Sequence, residues 1–151
     1  YISIRFDGYY AIGSLFALLH DVFITLGIFV FMNVEISISI IAALLTIVGY
    51  SLNDTIVIYD RIRENMSLNP YRDKKKIFNT SLNQTLNRTL VTSLTTLIVV
   101  LVLYIYGGDV LQPFSIALII GIILGTYSSI FIASPVTLFL EEKYNIEEEE
   151  D

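Results

Sequence analysis

Residues 36–59 read ISISIIAALLTIVGYSLNDTIVIY, a run whose single charge is Asp54. At about 1.5 Å per helical residue it is long enough to cross a hydrocarbon core about 30 Å thick, so it predicts a membrane-spanning helix. A charge inside such a core costs at least roughly 2.5–3.5 kcal/mol and persists when it is paired, hydrated or able to neutralise itself. Arg88, near the start of a second apolar run at 86–106, carries the opposite sign. Both residues are therefore functional candidates.

Two further runs, 9–32 and 113–140, are as long. The chain is thus predicted to be an all-α membrane protein, a polytopic bundle of four spans (9–32, 36–59, 86–106 and 113–140) in two antiparallel hairpins. Asn33-Val34-Glu35 joins the first hairpin and residues 107–112 join the second. Pro113 is expected in the first turn of the last span, where its missing N–H is not needed. Pro135 is expected to bend or end that span. Composition agrees: 54% of residues are hydrophobic, and the mean hydropathy is +0.68, above the usage of ordinary soluble domains.

The net charge of −6 arises wholly in residues 141–151, which hold seven acids and Lys143. That stretch is read as a solvated acidic tail, and the balanced remainder offers no basic excess for nucleic acid. Cysteine is absent and His20 is the single histidine, which argues against disulfides, thiolate or His-rich metal sites and a cysteine nucleophile. No cofactor or metal is expected. Phosphate-binding loops and nucleophile elbows are also missing from the sequence, so work done here would draw on an ion gradient or a partner and not on catalysis. The chain begins with Tyr1 and is read as the C-terminal portion of a longer protein.

Arg5, Arg61, Arg63, Arg72, Lys74, Lys75, Lys76 and Lys143 all fall on one side of the predicted spans, and the hairpin tips carry no Lys or Arg. The positive-inside rule then assigns both termini and a basic loop at 60–85 to the cytoplasm. Within that loop, Ile77, Phe78, Leu82 and Leu86 at mostly helical spacing suggest a short interfacial helix over 74–87.

Small and polar residues recur along the second span as Ala43, Thr46, Gly49 or Tyr50, Asn53 and Asp54, and along the third as Thr85, Arg88 or Thr89, Thr92, and Thr95 or Thr96. Such stripes normally face each other, which would allow a buried Asp54–Arg88 pair. Burial and a neighbouring Arg pull a carboxyl's protonation in opposite senses, so movement of Arg88 would switch Asp54. Plainer readings stand beside this one: Arg88 snorkels to the interface, and Asp54 is hydrogen-bonding glue. His20 and Asp21 are read either as a structural pair or as a secondary relay, with Asn53 and Thr92 as further relay or helix-packing candidates. Gly49, Gly121 and Gly125 are assigned to close packing, and a sliding surface is the alternative for the Gly-x-x-x-Gly pair.

The string Gly49-Tyr-Ser-Leu-Asn-Asp-Thr-Ile-Val-Ile-Tyr-Asp-Arg-Ile-Arg-Glu-Asn65 resembles the SecF members of the SecD/SecF protein-export family. Leu18-Leu-His-Asp-Val22, Asn87-Arg-Thr-Leu-Val-Thr-Ser93 and Gly107-Gly108 extend the resemblance over nearly the whole chain. It implies one six-span half of an RND-like fold in the bacterial inner membrane. SecD would be the partner, beside the SecYEG channel, and the proton motive force would assist preprotein translocation. It also carries the family's proton-pathway acid onto Asp54 and its basic partner onto Arg88, and marks Asp60, Arg61, Arg63 and Glu64 as a cytoplasmic motif. Residues 1–8 would be the end of a truncated preceding span, so the preprotein would meet an extracytoplasmic domain that this chain lacks. Two competing functions are an RND-type exporter of lipids or small molecules and a passive assembly subunit.

Overall fold

The structure, a computed structural model, describes residue 6, residues 8–34 and residues 37–149, with side chains as far as Lys143. Residues 1–5 and 7 of the expected span remnant at 1–8, Arg5 among them, residues 35 and 36 of the first hairpin, and the side chains of the terminal acidic run beyond Lys143 lie outside the described residues. Among the described residues there is no strand. The helices are α1 (Gly8–Phe31), α2 (Ile38–Leu68), α3 (Lys74–Tyr106), α4 (Gly108–Ser128) and α5 (Ser134–Glu149), with a π-helical turn, Ser129–Ala133, joining α4 to α5. The helical stretch through α4 and α5, with α1, α2 and α3, makes four helices long and apolar enough to cross a membrane.

The helices run further than the sequence predicts. The expected basic loop at 60–85 is almost all helix, and the expected short helix at 74–87 is the opening part of the longer α3. Charge reports where a segment sits relative to lipid, and Lys, Arg, Glu and Gln are good helix formers. The real break is Asn69-Pro-Tyr-Arg-Asp73. A proline disfavours helical backbone in the residue before it, and Asn69 leaves the helix at φ −137°. Asp73 then caps α3 by accepting a hydrogen bond from the Lys75 N–H at 3.0 Å.

At the other end, Ser37 caps α2 through the Ile40 N–H at 3.4 Å. The expected 107–112 connection shrinks to a pivot at Gly107 and Gly108. Gly107 N–H closes α3 on the Leu103 carbonyl at 2.7 Å, and Gly108 has φ +71°, which glycine adopts without strain. Pro113 consequently lies inside α4 instead of in its first turn. Pro135 does not end the last span. It follows the π turn, whose wider winding lets Ser134 donate to the Ser129 carbonyl five residues back at 3.1 Å and relieves the proline's clash with the preceding turn.

Two apolar cores form. Phe6, Tyr10, Ala17, Ile58, Tyr59, Ile62, Phe78 and Ala133 fill the basic end. Phe29, Ile40, Ala43, Ile47, Val100, Ala117, Leu118 and Ile122 fill the end with the hairpin tips. Between them, on every helix except α5, the buried positions become polar: Asp21 and Thr25, then Ser51, Asp54 and Thr55, then Thr89 and Ser93, then Ser128 and Ser129. The functional candidates belong to this belt.

Candidate ion-relay site

α2 holds the centre of the belt because it packs on α1, α3 and α4. Towards α1 and α4 the belt is saturated. Asp21 is 0% exposed. Its Oδ2 accepts from Ser51 Oγ at 2.8 Å and from Ser128 Oγ at 2.7 Å, and its Oδ1 lies 3.1 Å from His20 Nδ1. One carboxylate thus ties three helices, and Thr55 and Ser129 pair beside it at 2.9 Å. Close backbone approach makes this possible. A Cβ on Gly125 would press on Ser51, and one on Gly121 would overlap Ile47.

Towards α3 the belt is open. Asp54 is 3% exposed, yet its Oδ2 has no hydrogen-bond partner among the described residues. The groups acting on its carboxylate are the Ser93 hydroxyl and, through space, the Arg88 guanidinium. Ser93 also lies 2.7 Å from Thr126 Oγ1, which itself donates to the Ile122 carbonyl. The single proton of Ser93 is thus directed at Thr126, and the Asp54 carboxylate is the neighbouring alternative acceptor.

The expected contact pair between Asp54 and Arg88 does not form: no ion pair within 4 Å joins them, and Arg88 is exposed. Around α3 the buried face is Ser81, Thr85, Thr89 and Ser93. Arg88 stands one residue, about 100°, away from Thr89. It lines a polar pocket of about 360 Å³ with Asp60, Arg61, Glu64, Gln84 and Thr85. In that pocket Arg61 donates to Glu64 at 2.6 Å and to Gln84 at 2.7 Å. Arg63 is exposed, and both Arg63 and Asp60 are engaged by neighbouring groups.

Other sequence candidates face elsewhere. Thr92 spends its hydroxyl on its own helix, donating to the Arg88 and Thr89 carbonyls at 3.0 Å each. Asn53 and Thr46 are exposed, and Gly49 has nothing within 4 Å of where a Cβ would stand, so its assignment to packing fails within this chain. These three make a polar stripe on the outside of α2.

Sequence reasoning missed Ser51, Ser93 and Ser128, which look like ordinary small residues in membrane helices. It also missed Asn65, whose buried amide bridges Ser81 at 2.7 Å and Gln84 at 2.9 Å. The solvated tail expected from residue 141 begins differently. Glu141 is 4% exposed and pairs with Lys74 at 3.1 Å, while Glu142 reaches Lys75 at 3.6 Å.

Fold and site together define a polytopic helical membrane protein with a buried ionisable belt. The chain belongs to the SecD/SecF family: residues 1–143 match the family described as protein export membrane protein SecD/SecF, C-terminal. It is 53% identical over 149 residues to the protein translocase subunit SecF of Rhodothermus marinus, covering 95% of this chain and 48% of that protein. It is 51% identical over 142 residues to the SecF subunit of Koribacter versatilis, covering 94% of this chain and 35% of that protein. A crystal structure of SecDF in a super-membrane-facing form superposes with a TM-score of 0.93 at 45% identity, over 99% of this chain and 20% of that one. SecDF from Thermus thermophilus, described as a translocon-associated membrane protein, superposes at 0.90 with 47% identity, over 94% of this chain and 20% of that one. The chain therefore spans half or less of the length of these relatives.

Proposed function

We propose that this chain is the membrane-embedded, proton-relaying part of a SecF-type subunit, which works with SecD in the bacterial inner membrane to assist protein export. The observation that carries the reading is Asp54, a buried carboxylate with an oxygen left without a partner, beside a pocket containing Arg88 and open at the basic end. An unsatisfied acid at that depth is costly as glue. It is suited to taking and releasing a proton.

In the charged state Ser93 donates to Asp54 and the field of Arg88 holds the carboxylate. On protonation Ser93 turns to Thr126, and Arg88 is released towards Asp60 and Glu64. The change of charge alters what holds α3 against α2, which is how a proton can be exchanged for motion. The basic end of the bundle is the cytoplasmic end, by the positive-inside rule. The outward stripe of Thr46, Gly49 and Asn53 is the face that meets a helix of SecD, since polar groups on a lipid-facing surface would be wasted. SecYEG and the preprotein would be engaged by the assembled machinery and not by this segment.

The family relationship does not favour a small-molecule exporter. Passive assembly fits Asp21 better than Asp54, because both carboxylate oxygens of Asp21 are engaged. The test is proton-gradient-stimulated export by the full-length protein with SecD in membrane vesicles. Asp54→Asn and Arg88→Met should each abolish the stimulation in an assembled complex, and Asp54→Glu should keep part of it. Normal proton-driven export by assembled Asp54→Asn protein would leave only the assembly role.

A further inference from the structure

A groove of about 580 Å³ opens between α3 and the α4–α5 helix on the outer surface of the bundle. That volume is within the range of sites for small amphiphilic ligands, about 300–1,000 Å³. Its walls are apolar, with Leu86 and Leu90 from α3 facing Ile130 and Phe131. Its chemistry changes along its length. Asn79 and Asn83 line the end nearer the start of α3, and a smaller cavity lined by Lys75 continues from there, sharing Asn79, Leu82 and Pro135. Lys76 stands one turn before Asn79 on the same face of α3, is exposed, and makes no ion pair among the described residues. Asn83 donates to the Asn79 carbonyl at 2.9 Å, and the Asn79 amide donates to nothing among the described residues.

Lys76 stands one turn beyond the amide groups of Asn79 and Asn83, which lead inwards to a hydrocarbon slot, and Lys75 at the adjoining cavity is already paired with Glu142. We infer that the groove is a binding site for one anionic glycerophospholipid, with the phosphate at Lys76, the glycerol ester region at Asn79 and Asn83, and an acyl chain along Leu86, Leu90 and Phe131. An apolar helix in the same slot would cover the walls but leave Lys76 and the Asn79 amide without acceptors, at a desolvation cost that a phosphodiester removes. Basic pockets between membrane helices at the cytoplasmic surface bind anionic headgroups for this reason. The inference rests on the cytoplasmic placement of the basic end given above. It is independent of whether Asp54 relays protons.

The experiment uses the full-length protein reconstituted in phosphatidylcholine, with Phe131→Trp as the reporter and its emission taken as the difference from the parent protein. Brominated phosphatidylglycerol or brominated phosphatidylethanolamine is titrated in as quencher. Half-quenching should need about fivefold less of the anionic lipid, the factor expected of one lysine at the surface. Lys76→Gln should bring the two curves together, and a Trp at Ile98, on α3 away from the groove, should show no preference. Leu90→Trp repeats the measurement should the Phe131 variant not assemble. Equal quenching by both lipids would overturn the inference in favour of a plain lipid-facing surface. Absence of quenching would overturn it in favour of a covering helix. Either result would leave the export test of Asp54 untouched.

Discussion

Two membrane-buried carboxylates, Asp21 of α1 and Asp54 of α2, lie near the middle of α2, and they live differently. Asp21, towards α1 and α4, has both oxygens engaged, by Ser51, Ser128 and His20. Asp54, towards α3, is almost as buried but keeps one oxygen without a partner. Depth alone therefore does not separate the two acids; saturation does. A satisfied acid holds a fixed arrangement, whereas an unsatisfied one is held in place by its surroundings and is ready to change state.

The contrast is broken or sharpened first at Asp21. Asp21→Ala strands the buried Ser51 hydroxyl, at about 1–3 kcal/mol when left unpaired, and leaves the Ser128 hydroxyl only the Gly125 carbonyl of its own helix at 3.2 Å. The variant should lose about 3 kcal/mol or more, read as a large fall in thermal unfolding temperature in detergent. A fall no greater than that of Asp54→Ala would erase the distinction. Next, Gly121→Val drives a side chain into Ile47 and should cost about 1–3 kcal/mol by overpacking.

On the α3 side, Lys74→Met leaves the buried Glu141 without that cation and should cost about 1–2 kcal/mol, between the values for surface and buried ion pairs. Lys75→Met, whose partner Glu142 is half-exposed, should move the unfolding midpoint little. The smallest effect belongs to Gly49→Ala, which meets nothing within this chain and should change its stability by less than about 0.5 kcal/mol. If the same change weakens co-purification with SecD, the outward stripe of α2 is the partner face. If co-purification is unchanged, that face meets lipid.

The four spans were legible because about 20 apolar residues in a row have few other fates. The reach of α2 and α3 beyond the membrane was not, since a charge run marks the exit from lipid and says nothing of where a helix ends. The inward face of α2 was legible only in part, for a geometric reason: Ala43 and Asp54 do face inwards, but Thr46, Gly49 and Asn53 do not. Thr46, Gly49 and Asn53 repeat with the same period as Ile47, Ser51 and Asp54, and one residue of offset rotates the stripe by about 100°. The cost of Asp21 was visible in the sequence. Its partners were not, because Ser128 lies 107 residues away and nothing local marks it. Asp54 and Arg88 were found as candidates from their charge in apolar surroundings, but their separation depends on the rotation of α3, which the Thr-rich pattern leaves open.

The central claim is that Asp54 changes protonation during work while Asp21 does not. Infrared difference spectra of the reconstituted full-length complex, taken with and without an imposed proton gradient, read this directly through the carbonyl stretch of a protonated carboxyl group. The account predicts a band that appears with the gradient, vanishes in Asp54→Asn and persists in an assembled Asp21→Asn variant. A band that survives Asp54→Asn and vanishes in Asp21→Asn would contradict it.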